Sequence, residues 1–264
     1  GLQVLEYLYI HGGATLAEMY DATGISRATL LRILMTLKEN ELVWQRMADG
    51  AFLPGYHLER IVVEPSVAKR LSEISAPYLL ELCDKTLWPS VVAVPGTGCM
   101  EIIETNVTQA YFDEIVLGPV GFKLDYLLTA TGRTFMAFCK KHERESILET
   151  LRRNNQPGHA MTYDHKAIER MVEEIQQRGY GLRAPDYGGS FDHKPLNEYD
   201  DGRHSMAVPI TVARIGTIGS LNITWKKKVF DLDEGVDHLL KDLQKAARRI
   251  GSAYRKAALT TSKS

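Results

Sequence analysis

Leu30, Ile33, Leu34 and Leu37 fall at i, i+3, i+4 and i+7, so Ser26 to Asn40 predicts a helix with one apolar stripe turned to a core. A shorter amphipathic pattern of Leu16, Met19 and Tyr20 precedes it. Thr15 stands where an N-cap belongs, with Glu18 three residues on at the capping-box spacing, and Ser26 offers the second helix start. Ala22-Thr23-Gly24-Ile25 leaves room only for a sharp reversal, with Gly24 free to take the positive φ that such a turn needs. Leu42 to Arg46 then alternates as a strand, Asp49-Gly50 is a hairpin signal, and Ala51-Phe52-Leu53 returns. Helix, turn, helix and hairpin in this order predict a winged helix-turn-helix.

From Val67 to about Lys85 a helical pattern resumes, and Pro77 is expected to end or kink its first part. Beyond Trp88, strands alternate with helices. Ser90 to Val94 and Met100 to Thr105 predict an antiparallel pair, with a further short strand near Tyr111. Helices are expected at Thr131 to Cys139, Arg144 to Arg153 and His165 to Arg178, and strands at Tyr180 to Arg183, Met206 to Thr211 and Ile218 to Trp225. A last helix from about Asp233 to Lys256 carries Val236, Leu239, Leu240, Leu243, Ala247 and Ile250 on one face. The fold class is therefore α+β. The expected organisation is a DNA-binding domain over 1–62, a helical linker over 63–86, an effector domain over 87–256 and a fraying tail over 257–264.

The second helix of the head presents Ser26, Arg27 and Thr29 on its first turn and Arg32 one turn on. Short hydroxyls at a helix N-terminus suit phosphate oxygens, and an arginine fork reaches the N7 and O6 acceptors of guanine. With Thr15 on the bracing helix and Arg46 on the hairpin, these are the candidate DNA-binding residues. Two packed helices without a ligand are the plainer account of the same pattern. Charge pulls against DNA: over residues 1–60, five basic side chains face seven acidic ones. A polyanion-binding surface is expected to be basic. The chain starts inside a helical pattern without an initiator Met, so residues are expected to precede Gly1, a basic arm among them.

At 264 residues, 44% hydrophobic and 25% charged, the composition is that of an ordinary globular chain with room for two domains. The net charge of −1 favours neither a strong polyanion binder nor a membrane-surface protein. Cys83, Cys99 and Cys139 form neither a disulfide framework nor a zinc motif, so a reducing cytoplasm fits best. His193 and His204 with Asp192, Asp200 and Asp201 match no ligand spacing, and neither metal nor cofactor is expected. The sequence shows no nucleophile elbow, P-loop or dinucleotide fingerprint, so no catalytic residue is assigned.

Three stretches carry a family resemblance over essentially the whole chain: GISRATLLRILMTLKENELV, LGPVGFKLDYLLTATGRTFMAF, and RGYGLRAPDYGG followed by RHSMAVPI and IGSLNITW. They resemble the IclR-type bacterial transcription regulators. Trp88-Pro89-Ser90 and the GRTFMAFC run are similar to the subgroup that controls breakdown of hydroxyphenylpropionate and related aromatic acids. The resemblance implies a DNA-binding head joined to a GAF-like effector domain, a homodimer or tetramer, and a pseudo-palindromic double-stranded operator. Leu31 and Met35 depart from the expected pattern, being apolar on the outward side of the recognition helix.

For the effector domain, Leu221, Ile223 and Trp225 alternate with Ser220, Asn222 and Thr224 along one strand. The polar set faces either solvent or a pocket, and the resemblance favours a pocket for a small carboxylic acid. A second wall is read at the helix start Thr129-Ala130-Thr131-Gly132, where a positive dipole end and amide donors hold a carboxylate without a buried cation, an ordinary helix cap being the alternative. By resemblance, Ser205, Asp186 and Tyr187 complete the site. Trp88, Tyr111 and Tyr126 are candidates for flanking a ring, with core packing the competing account. The function expected is a ligand-responsive transcription regulator. The alternative is an acid-binding enzyme or sensor whose head binds protein.

Overall fold

The computed structural model describes residues 1–40, 42–47, 49–55, 67–107, 115, 117–154, 159–189 and 194–261. The chain divides into two compact units, Gly1–Ser66 and Val67–Ser264.

In the first unit, α1 (Leu2–His11), α2 (Leu16–Thr23) and α3 (Arg27–Glu39) are followed by the hairpin β1 (Val43–Gln45) and β2 (Phe52–Pro54). Gly24 ends α2 at φ 67, the left-handed conformation, and its N–H closes onto the Tyr20 carbonyl. α3 starts three residues later. Val4, Leu8, Met19, Leu30, Leu34 and Phe52 form one small core, so the stripe read on α3 is the buried one. The hairpin is antiparallel, with Trp44 opposite Leu53.

The second unit opens with α4 (Val67–Thr86), which runs through Pro77 without a break. The helix does not end there, and Leu71 and Ser75 before the proline and Leu79, Leu82 and Cys83 after it are all buried on one face. An interior proline costs about 3 kcal/mol, and each buried leucine returns about 1.5–3 kcal/mol. The helix expected as a linker packs Leu71, Leu79 and Leu82 into the core of the second unit.

Six antiparallel strands follow: β3 (Ser90–Pro95), β4 (Met100–Thr105), β5 (Lys123–Leu124), β6 (Gly181–Leu182), β7 (Arg203–Val212) and β8 (Gly216–Lys226), ordered β5-β4-β3-β8-β7-β6. The short β5 was not expected, and the strand expected near Tyr111 lies outside the described residues. Between β5 and β7 come α5 (Ala130–Phe138), α6 (Lys141–Asn154), a 3₁₀ turn (His159–Tyr163) and α7 (His165–Arg178). α8 (Leu232–Thr261) closes the chain and stays helical through residues 257–261, which were expected to fray.

Strand alternation sorts the sheet into two faces. Val92 pairs with Leu221, and both join Val208, Ile223 and Trp225 against α4 and α8. Trp225 is packed so closely on α8 that a Cβ at Gly235 would lie 2.3 Å from its indole ring. Ala93, Met100, Phe135, Met136 and Met171 build the core on the opposite face with α5 and α7. Both sheet faces are thus covered, and the polar row of β8 points inward: Ser220, Asn222 and Thr224 are all buried. Solvent is not what faces them.

Candidate functional site

On the head, Thr15 closes a reciprocal capping box, its Oγ1 and N–H both donating to the Glu18 carboxylate at 2.8 and 2.7 Å. Those bonds hold the Glu18 carboxyl below its usual range. Ser26 caps α3 by accepting from the Thr29 N–H at 3.3 Å, and the two hydroxyls lie 2.9 Å apart. Arg27 lies over the Tyr20 ring at 5.4 Å. Arg46 is committed within the hairpin, where its Nε donates to Asp49 at 2.9 Å; bonds from Arg46 and from the Ala51 N–H hold the Asp49 carboxyl down to about 2. Arg32 is exposed, and its guanidinium makes no ion pair among the described residues. Of the six residues read as DNA contacts, Arg27 and Arg32 keep their guanidinium donors uncommitted among the described residues, Arg27 resting on the Tyr20 ring. Leu31 and Met35, each 46% exposed, share the outer surface of α3 with it.

In the second unit, β3, β7 and β8, the start of α5 and the loop before β7 enclose a cavity of about 570 Å³. That volume suits a small organic ligand. The register explains its polar wall: Ser205 sits opposite Thr224, and Asn222 is bracketed by Val91 and Ala207. Ser205 Oγ lies 2.8 Å from Thr224 Oγ1, which donates onward to Asn222 Oδ1 at 3.1 Å. Val91, beside Asn222 in the sheet, and Ile102, Leu117, Phe122 and Leu124 add the apolar part of the lining.

The helix start is built differently from the expectation. Thr129 is the N-cap of α5; its Oγ1 donates to the Asp125 carbonyl at 2.7 Å and accepts from the Gly132 N–H at 3.0 Å. Ala130 and Thr131 line the cavity, and Gly132 does not. A Cβ at Gly132 would lie 2.3 Å from the Asp125 carbonyl oxygen, so this glycine serves close packing. Its amide is not available to a ligand.

Cations are the larger correction. Lys123, Arg183, Lys194 and Arg203 line the cavity with only Asp125 and Asp201 as carboxylates, against the expected site without counter-charge. Arg183 Nη1 donates to both Asp201 oxygens at 2.8 and 2.9 Å and to the Arg203 carbonyl at 3.3 Å. The guanidinium also lies 6.0 Å from the centre of the Tyr187 ring. Burial raises the Tyr187 hydroxyl above its ordinary value, so the neutral phenol is the form present. Asp125 Oδ1 accepts from the Leu127 and Leu128 amides at 2.7 and 2.9 Å, which places the carboxylate as a loop organiser.

Of the residues expected at the effector site, Ala130, Thr131, Tyr187, Ser205, Asn222 and Thr224 meet around this cavity. Trp88 is 2% exposed and packs edge-on to Phe230 in the core of the α4–α8 face. Tyr126 is fully buried beside Phe135, donating its hydroxyl to the Gly96 carbonyl at 3.1 Å. Both aromatics serve packing. Asp186 lines a different cavity, on the far side of the α5 start. Of the loop read against metal binding, His193 and Asp192 lie outside the described residues, while Asp200 pairs with Lys227 and Asp201 with Arg183.

Two family descriptions match the chain: the IclR helix-turn-helix domain over residues 1–46, and the bacterial transcriptional regulator IclR C-terminal domain over 69–252. Solved structures agree with the fold. A putative transcriptional regulator from Rhodococcus sp. RHA1 is 21% identical with a TM-score of 0.55, the match covering 92% of this chain and 91% of that one. The IclR of Thermotoga maritima is 19% identical at 0.52, covering 95% and 96%. An IclR homologue from Microbacterium hydrocarbonoxydans, complexed with 4-hydroxybenzoate, is 18% identical at 0.55, covering 97% of each chain.

Proposed function

We propose, because this chain belongs to the IclR family of bacterial transcriptional regulators, that a small carboxylic acid bound in the second unit alters how the head reads its operator. The observation that carries the ligand class is the cavity's mixed lining. Apolar side chains share it with a hydroxyl–amide row and with four cationic and two anionic side chains. An acid with an apolar or aromatic body satisfies both: its carboxylate meets Arg183, Lys194 or the α5 N-terminus, and its body lies on Val91, Ile102 and Phe122. The relative with 4-hydroxybenzoate bound supports an aromatic acid of that size. No helix among the described residues is long and apolar enough to cross a membrane, and the action proposed is on cytoplasmic DNA.

One head covers a half-site, so operator reading requires at least a homodimer holding two heads about one helical turn of DNA apart, or a multiple of it. Sedimentation at micromolar concentration is expected to show a dimer or tetramer, and a strict monomer that binds an operator tightly would contradict it. Transmission is assigned to α4, whose buried face joins it to the core that holds β8. Ligand shifts operator affinity only by its differential affinity for two arrangements of the assembly.

The ligand class is tested by thermal unfolding of the full chain against phenylpropionates, benzoates and short keto acids. An acid at about a hundred times its dissociation constant is expected to add about 2.7 kcal/mol, and its methyl ester much less. Equal stabilisation by acid and ester removes the carboxylate from the account. At the head, Arg32→Ala is expected to reduce discrimination between operator and random DNA by about 1–3 kcal/mol with the fold intact. Equal loss on both DNAs would make Arg32 a phosphate contact instead.

A further inference from the structure

Arg133 is 9% exposed, and its Nε has no hydrogen-bond acceptor among the described residues. Its Nη1 donates to the Leu127 carbonyl at 3.2 Å, which leaves most of a buried guanidinium fork uncommitted. A buried polar group without a partner costs free energy, so this one calls for an acceptor. Arg133 lines a second cavity, of about 290 Å³, between the start of α5, the 3₁₀ turn, α7 and the loop after β6. None of its lining residues belongs to the effector cavity.

The second cavity differs from the first in its charge. Arg170 joins Arg133, while Glu174 and Asp186 face them, two cations against two carboxylates. Burial and Arg178 pull the Arg133 guanidinium below its ordinary value, and Glu174 and Asp186 oppose that shift. A simple anion answers Arg133 but meets the two carboxylates unfavourably; a simple cation has the converse fault. A molecule carrying both charges answers each side. The uncharged part of the wall is apolar, with Met161, Met171 and Pro185 among its members. Methionine side chains adapt their shape to a small branched or linear body.

We propose that this cavity binds a small zwitterion, an α-amino acid with an apolar side chain, its carboxylate on Arg133 and its ammonium toward Glu174 and Asp186. The site stands apart from the effector cavity but shares its framework: Thr131 lines one and Arg133 the other, two residues apart on α5. Asp186 and Tyr187 are divided in the same way along the loop.

The test is calorimetric titration of the full chain with the apolar amino acids, led by leucine. Two probes each lack one charge: 4-methylpentanoate has no ammonium, and 3-methylbutylamine has no carboxylate. At least one amino acid is expected to bind saturably, with its acid and amine counterparts weaker by about tenfold or more. Glu174→Gln changes an exposed side chain and is expected to weaken the amino acid by a similar factor. Arg133→Met, which keeps the apolar stem, is expected to remove the binding; if it does not fold, Glu174→Gln carries the test alone. Asn222→Leu, in the other cavity, is expected to leave amino-acid binding unchanged, which separates this site from the effector reading. The proposal is overturned if 4-methylpentanoate binds as tightly as leucine, if binding survives Glu174→Gln unchanged, or if no apolar amino acid binds at millimolar concentration.

Discussion

Arg183→Met is expected to destabilise the second unit by about 3 kcal/mol and to weaken acid binding as well. Arg183 Nη1 spans both oxygens of Asp201, whose side chain is only 4% exposed. Removing the guanidinium leaves that carboxylate buried, with the Arg203 N–H still donating to it at 3.0 Å. An uncompensated buried charge is the expensive outcome, more so than loss of the pair itself. The double variant Arg183→Met with Asp201→Asn separates the two effects. Asn keeps an acceptor for the Arg203 amide while removing the charge, so most of the stability is expected to return. Acid affinity is not, because the cavity still lacks the cation. Urea unfolding and ligand titration of the single and double variants measure both. A single variant as stable as the wild type would show that the pair contributes little, and a double variant with restored affinity would place the carboxylate elsewhere.

Asn222→Leu is the complementary change, expected to cost binding with little effect on folding. The substitution keeps roughly the side-chain volume and deletes the amide at the centre of the polar row, where Asn222 is 5% exposed. Thr224 Oγ1 loses one acceptor and retains Ser205 Oγ at 2.8 Å, so the row is not stranded. A ligand oxygen that met the amide loses its partner, and affinity is expected to fall by about 1–3 kcal/mol. Operator binding without ligand is expected to stay near wild type, because the head forms its own unit. Unchanged affinity together with a melted domain would make this strand purely structural.

The head was legible because its signals are local. A capping box at Thr15 and Glu18, a left-handed Gly24, an N-cap at Ser26 and a stripe of leucines each sit within a few residues of one another. The polar row of β8 was legible as a pattern, but its burial was not, since period-two alternation reads the same whether the second face meets water or α5 and α7. Pro77 misled because a local helix breaker is weighed against burial on both of its sides, which only the tertiary structure reveals. Arg183 and Asp201 were missed for the same reason: they lie eighteen residues apart across an irregular loop, and no spacing announces the pair. Trp88 and Tyr126 read as candidate ring partners against a stronger expectation of core packing, and the core is where both lie. Arg133 is buried and bonded to the Leu127 carbonyl, a burial that no local spacing announces.

The central claim is that acid occupancy of the 570 Å³ cavity changes operator affinity. Its most direct test is fluorescence anisotropy of a labelled operator, selected from genomic fragments, titrated with the full chain at two salt concentrations, with and without a stabilising acid. The account predicts specific binding that weakens with salt and an operator dissociation constant that moves by about fivefold or more on adding acid, a shift absent in Asn222→Leu at the same acid concentration. An acid that binds the wild type tightly yet leaves operator affinity unchanged would contradict it.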